Sequence, residues 1–65
     1  MRLFVNGVEQ EIAADTLAAT LLRLDYGEAR VATALNGVFV PARKRDETAV
    51  REGDRIEIVA PRQGG

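Results

Sequence analysis

The feature that most constrains the fold of this chain is an Asn-Gly dipeptide that occurs twice, at residues 6–7 and 36–37. Asn-Gly suits a two-residue type I′ turn, because both central residues of that turn need positive φ. Each dipeptide separates two short segments with a strand pattern, at residues 1–5 and 8–12 and at residues 31–35 and 38–40, and the second of these has a polar face with Glu9 and Glu11. The sequence therefore predicts two β-hairpins.

An amphipathic helix is predicted between the hairpins. Its apolar stripe consists of leucines at helical spacing and of residues that widen it: Leu17, Leu21, Leu24, Ala14, Ala18 and Leu22. Asp15 or Thr16 can cap its start, since a short side-chain oxygen accepts a bond from an early helical N–H. Gly27 predicts an end near residues 25–26, because glycine readily adopts the left-handed conformation that closes a helix.

The last third of the chain predicts a loop and one more strand. Pro41 ends the fourth strand or confines it to a sheet edge. Residues 42–52 are mostly charged, with Ala49 and Val50 as an apolar anchor. A turn at 52–54 leads into a strand at 55–60. Five short strands and one helix give a two-layer α+β domain over residues 1–60, with a flexible tail at 61–65.

The alternation of apolar residues also predicts the core. It consists of Leu3, Val5, Ile12, Leu17, Leu21, Leu24, Leu35, Val40, Ile56 and Ile58. We assign Phe39 to the core side as well, whereas Phe4 suits either the core or an exposed recognition site. The charged pair Glu9 and Glu11 and the basic run at 43–45 are interpreted as solvated surface.

Composition excludes several function classes. The chain has no His, Cys or Ser, so it lacks the usual general base, the two commonest nucleophiles and the preferred zinc ligands. A net charge of −1 gives no basic surface for nucleic acid or an anionic membrane. No apolar run approaches the ~20 residues of a membrane span. We therefore expect a cytoplasmic, non-enzymatic domain without a bound cofactor.

The sequence ends in two glycines, Gly64 and Gly65. Glycine has no Cβ, so such a segment can enter a channel too narrow for other residues and deliver its carboxylate to another enzyme. Adenylation by ATP would give that carboxylate a leaving group. A sulfur donor could then convert it into a thiocarboxylate. This is the chemistry that the tail favours.

The ordered set of MRLFVNG, DTLAATLLRL, VATALNGVFVP, REGDRIEIV and the final GG resembles the ThiS family, within the ThiS/MoaD group of ubiquitin-like sulfur carriers. The resemblance covers essentially the whole chain. It implies a β-grasp fold, a mixed sheet of four to five strands packed on one helix, with the first and last strands parallel at the centre. Thr33 departs from the family pattern, which more often has an aliphatic residue there.

The same resemblance implies partners and site residues. The partners are a ThiF-type adenylyltransferase that uses ATP, a cysteine desulfurase as sulfur source, and the thiazole synthase ThiG as acceptor. Gly65 is the modified residue, and Gly64 and Gln63 thread the channel. Apart from the resemblance, Phe4, as an aromatic residue on a sheet face, and Arg62 are candidates for a partner-docking surface.

Other functions stay open at this point. The same chemistry could serve molybdopterin, cysteine or methionine synthesis, or tRNA thiolation. A ubiquitin-like modifier would instead join Gly65 to target lysines; this chain itself contains one lysine, Lys44. A plain interaction domain would use neither glycine, and it would tolerate loss of the tail.

Overall fold

The computed structural model of the protein describes residues 1–27 and 30–60. The elements in chain order are strands β1 (Arg2–Val5) and β2 (Val8–Glu11), helix α1 (Leu17–Arg23), strands β3 (Ala32–Leu35) and β4 (Val38–Val40), a 3-10 helix (Ala42–Glu47) and strand β5 (Arg55–Val59). The strands form one sheet in the order β2-β1-β5-β3-β4.

The last strand in the sequence lies at the centre of the sheet. The hairpins β1–β2 and β3–β4 are each antiparallel, and β5 lies between them. It runs parallel to β1 and antiparallel to β3. This mixed sheet with one α-helix confirms the predicted β-grasp fold.

Both Asn-Gly turns have the predicted geometry. The φ angles are 51° at Asn6 and 82° at Gly7, and 51° at Asn36 and 86° at Gly37. These are the two consecutive positive values of a type I′ turn, whose twist matches that of the strands it connects. The dipeptides therefore define both hairpins, as the sequence predicts.

Thr16 begins the helix, as one of the two predicted caps. Its hydroxyl oxygen accepts a hydrogen bond from the backbone N–H of Ala19 at 3.1 Å. Leu17 and Leu21 are buried against the sheet, but Leu22 is 65% exposed. The predicted stripe was therefore too wide, because Leu22 lies about 100° around the helix from Leu21.

The prediction that Gly27 closes the helix was wrong. Asp25 adopts the left-handed conformation, with φ of 67°, and Gly27 does not. The N–H of Asp25 donates to Leu22 O, and the N–H of Tyr26 donates to Leu21 O at 2.8 Å. This is a Schellman closure, in which aspartate tolerates the position that glycine usually occupies.

The buried core confirms most of the predicted inventory. It contains Leu3, Val5, Ile12, Leu17, Leu21, Val40, Val50, Ile56 and Ile58, while Leu24 and Leu35 pack against it partly buried. Val50 is the predicted anchor, whereas Ala49 is exposed. The N–H of Val50 donates to Asp15 O at 3.1 Å, which fixes this segment beside the start of α1.

The predicted loop at 42–52 begins instead with a 3-10 helix, and this places Arg45 over β3. Its guanidinium donates to the Thr33 hydroxyl at 3.0 Å and to Val31 O at 2.6 Å. The Thr33 hydroxyl is buried and donates to Val40 O at 2.8 Å. The polar residue at this position is therefore fully hydrogen-bonded, which explains how the sheet accommodates it. The interpretation of the basic run as solvated holds for Arg43 and Lys44, which are exposed, but not for Arg45.

Candidate functional site

Four of the predicted site residues lie outside the described residues: Arg62, Gln63, Gly64 and Gly65. The structure does describe β5, from which this segment continues in sequence, and the sheet face beside it. The candidate site is therefore built from the end of β5 and that face.

Strand β5 is anchored by burial of one face and by pairing with its neighbours. Ile56 and Ile58 are 1% and 6% exposed, so one face of the strand is embedded in the core. Ile56 is in register with Val5 on one side and with Leu35 on the other. On the β3 side the pairing extends to Val59, opposite Ala32.

Strand β1 ends at Val5, and on this side of β5 the side chain of Asn6 continues the hydrogen bonding. The backbone N–H of Asn6 donates to Ile56 O at 2.8 Å. Its side-chain oxygen accepts from the N–H of Ile58 at 2.8 Å, and its Nδ2 donates to Ile58 O at 3.2 Å. The amide thus acts as one more peptide group beside β5. The sequence predicts the Asn6 turn but contains no signal for this contact, which joins residues 52 positions apart.

The sheet face opposite the helix carries exposed apolar side chains beside the end of β5. Phe39 and Val59 are 66% and 63% exposed. The register places Phe39 beside Ala34, and Ala34 beside Glu57 on β5. We call these residues, together with Ala32 and Phe4, the open face.

The assignment of Phe39 to the core side was wrong. Side chains alternate between the two faces of a strand, and Val40 is the residue of β4 that is buried. Phe39 must therefore point to the opposite face. The sequence offered both choices, because β4 has three residues and all of them are apolar.

Phe4 lies on the open face, as a docking residue must. It is partly buried and in register with Arg55 of β5. A shallow hollow beside it is lined by Gly7, Gly37 and Glu57 among others. The structure thus brings Phe4 to the same face as Phe39, on the other side of β5. Its docking role stays a prediction.

The charged residues of the first hairpin are exposed, as predicted for Glu9 and Glu11. Arg2 lies 3.9 Å from Glu9 and 3.4 Å from Glu52, in ion pairs that water screens and that contribute little stability. Within residues 1–27 and 30–60, no group of three or more His, Cys, Asp or Glu side chains could hold a metal ion. No helix in these ranges is long and apolar enough to span a bilayer.

A family profile and a solved structure both relate this chain to the ThiS family. A sequence profile of the ThiS family matches residues 3–65. The crystal structure of the thiamine biosynthesis protein ThiS from Geobacter metallireducens is similar to this fold with a TM-score of 0.83 and 30% identity, and the match covers 100% of both chains. A thiazole synthase from Paramagnetospirillum magneticum is 38% identical over 66 residues, a match that covers all of this chain. The chain spans about a fifth (20%) of that relative's length.

Proposed function

The chain belongs to the ThiS family, the sulfur carriers of thiamine biosynthesis, and we propose that it carries sulfur as a thiocarboxylate on Gly65. The observation that carries the proposal is the position of β5. Residues 61–65 follow, after Ala60, a strand that is paired on both edges and has one face embedded in the core. A segment that must reach another enzyme's active site benefits from such a fixed origin, because less conformational entropy is lost when it binds.

The first chemical step is adenylation. A carboxylate oxygen of Gly65 attacks the α-phosphorus of ATP, and pyrophosphate leaves. The acyl-adenylate that forms carries AMP as its leaving group, so its carbonyl carbon becomes a good electrophile. We assign ATP binding and catalysis to a ThiF-type adenylyltransferase, and to this chain the role of its protein substrate.

The second step replaces oxygen with sulfur. The terminal sulfur of a persulfide, supplied by a cysteine desulfurase, attacks the acyl carbon, and AMP leaves with the former carboxylate oxygen. A thiol then attacks the sulfur–sulfur bond, forms a disulfide with the donor, and releases the thiocarboxylate. The chain has no cysteine, so it has no thiol that could carry the sulfur in place of Gly65.

We assign the open face to docking of the adenylyltransferase. Val59 is two residues from the start of the segment 61–65, so we expect a partner that encloses this segment to contact the face that carries Val59. Phe39 and Val59 supply exposed apolar area there, and aromatic side chains are frequent anchors of protein interfaces. Phe4 and Arg62 complete the proposed docking surface.

The sulfur acceptor that we propose is a thiazole synthase of the ThiG type. The support is the thiazole synthase from Paramagnetospirillum magneticum, which contains a segment 38% identical to this chain. A carrier-like segment within a thiazole synthase indicates that the two activities work together. This observation favours thiamine synthesis over the other sulfur-transfer pathways.

The test is a mass measurement. The protein is incubated with ATP, a ThiF-type enzyme, a cysteine desulfurase and cysteine. Its intact mass should rise by the difference between one sulfur and one oxygen atom. Cleavage after Glu57 should place the whole increase in the peptide of residues 58–65. Sulfur located in any other peptide, or an unchanged mass with an enzyme active on its own carrier, would contradict the proposal.

Gly64→Ala tests the role of the glycines separately from the stability of the fold. Residue 64 follows the last core strand, so the free energy of unfolding should stay within about ±0.5 kcal/mol of the wild type. The added methyl group should strongly reduce pyrophosphate release, because the channel must fit a backbone without Cβ. One alanine appended after Gly65 should abolish it, since the carboxylate is then displaced from the nucleotide. Equal rates for all three proteins would identify the glycines as an ordinary terminus.

A further inference from the structure

The turn that contains Asn6 does not require the two hydrogen bonds between the Asn6 side chain and Ile58. A type I′ turn requires positive φ at residue 6, which glycine would satisfy equally well. The amide of Asn6 instead binds both backbone groups of Ile58, at 2.8 and 3.2 Å. This is the last hydrogen bonding described on the β1 edge of β5 before the segment 61–65.

We propose that Asn6 is a positioning residue for the adenylation of Gly65: it holds in one orientation the end of β5, from which residues 61–65 continue in sequence. The inference rests on the proposed function. The effect proposed for Asn6 is on how the partner enzyme binds the segment 61–65, and no contact with the reacting carboxylate is assigned to it.

Removing the amide would move the last fixed point on the β1 edge from residue 58 back to residue 56, where Asn6 N–H still donates to Ile56 O. The backbone groups of Ile58 then have no partner from Asn6 on that edge. The β3 edge still pairs through Val59. The strand end, held on one edge, can pivot about β3, and this lowers the effective concentration of the carboxylate at its target.

The second Asn-Gly turn supplies a matched control. Asn36 has the same φ of 51°, and its side-chain oxygen accepts from the N–H of Arg55 at 2.9 Å. Its Nδ2 donates to the Asp54 carboxylate at 3.0 Å. These bonds hold the beginning of β5, at the opposite end from the C-terminal segment. Asn6→Gly and Asn36→Gly therefore remove the same group from the same kind of turn.

The experiment compares the wild type, N6G and N36G as substrates of a ThiF-type adenylyltransferase, with pyrophosphate release as the assay. We expect N6G to raise KM roughly threefold to tenfold, as the loss of one or two hydrogen bonds would. The maximal rate should stay close to that of the wild type. N36G should leave KM unchanged. If N6G does not fold, Asn6→Asp, which keeps the acceptor oxygen and loses the donor to Ile58 O, replaces it, and N36G stays the control because an aspartate at 36 would face the Asp54 carboxylate.

Amide hydrogen exchange gives a second measurement that does not depend on the partner enzyme. The Ile58 N–H should exchange faster in N6G than in N36G, at conditions where both proteins are folded. Equal KM values for the two variants, or unchanged protection of Ile58 in N6G, would overturn the proposal. If the wild type itself is not adenylated, the carrier function falls and Asn6 has no positioning role in it. The exchange result would then still show whether Asn6 holds the strand end.

Discussion

The two Asn-Gly turns are nearly identical in backbone geometry and differ in what their side chains bind. Both asparagines have φ of 51°, and both accept a hydrogen bond from a backbone N–H of β5. Asn6 donates in return to the backbone oxygen of Ile58, whereas Asn36 donates to the Asp54 carboxylate. The first turn holds the end of β5 and the second holds its beginning.

This difference shows that the local sequence specifies the turn conformation, whereas the sheet topology determines which groups the asparagine side chain binds. The dipeptide specifies the turn, because only a few residues tolerate positive φ. The strand that the turn faces determines the role of the amide. Asn36 is joined to the tight turn before β5, where the Asp54 carboxylate also accepts from the N–H of Arg51 at 2.8 Å. Asn6 faces the strand from which the C-terminal segment continues.

The largest effect on stability is expected at Ile56, which is in register with a residue of each hairpin. Ile56 is 1% exposed and in register with a residue of each hairpin, Val5 and Leu35. Ile56→Ala should lower the free energy of unfolding by about 2–5 kcal/mol, measured by denaturant titration. Val59→Ala on the same strand, where the side chain is 63% exposed, should change it by no more than about 0.5 kcal/mol. Similar losses for the two variants would show that β5 is not the shared core of the hairpins.

A loss of stability of intermediate size is expected at the glycines of the two turns, and it tests whether both turns have the same backbone strain. A Cβ added at Gly7 or Gly37 would have no heavy atom within 4 Å, so the cost of alanine there is the strain of positive φ alone. Gly7→Ala and Gly37→Ala should each lower stability by about 1–2 kcal/mol, and by equal amounts in thermal or chemical unfolding. A difference beyond about 0.5 kcal/mol would mean that the two turns carry unequal strain.

The smallest effect on stability is expected on the open face, and it should appear mainly in partner binding. Phe39→Ala removes a side chain that is 66% exposed, so stability should change by no more than about 0.5 kcal/mol. It should raise the KM for adenylation by about fivefold to tenfold, as loss of an aromatic anchor would. Val38→Ala, equally exposed on the adjacent residue but on the other face, is the control and should alter neither quantity. An equal KM for both variants would exclude the open face as the docking surface.

Much of the fold could be predicted because its signals are local. Positive-φ dipeptides, two-residue alternation in β1 and β5, and leucine spacing in α1 each act within a few residues. The errors occur where local preference leaves two choices. Gly27 was a reasonable helix terminator, but Asp25 closes the helix. Phe39 and Val40 could each have been the buried residue of β4, since both are apolar.

The contacts that complete the sheet and the candidate site could not be predicted in this way. Asn6 meets Ile58 across 52 residues, and Arg45 meets Thr33 across 12. Such pairs depend on strand order and register, which alternation alone does not determine. The chemistry proposed for the final glycines depends on residue type rather than on packing, so it needs no such contact, and it stays a prediction.

The central place of β5 also has a consequence for how the domain folds. Each hairpin can form from neighbouring residues, but the pairing of β1 with β5 closes a loop of about fifty residues, which gives the fold a high contact order and slows its formation. Until β5 inserts, β1 and β3 each present an unpaired edge, and such edges can pair with another chain. Folding and unfolding should therefore be all-or-none, with β5 insertion as the limiting step. A substitution that delays this insertion would promote aggregation even if the finished domain tolerated it.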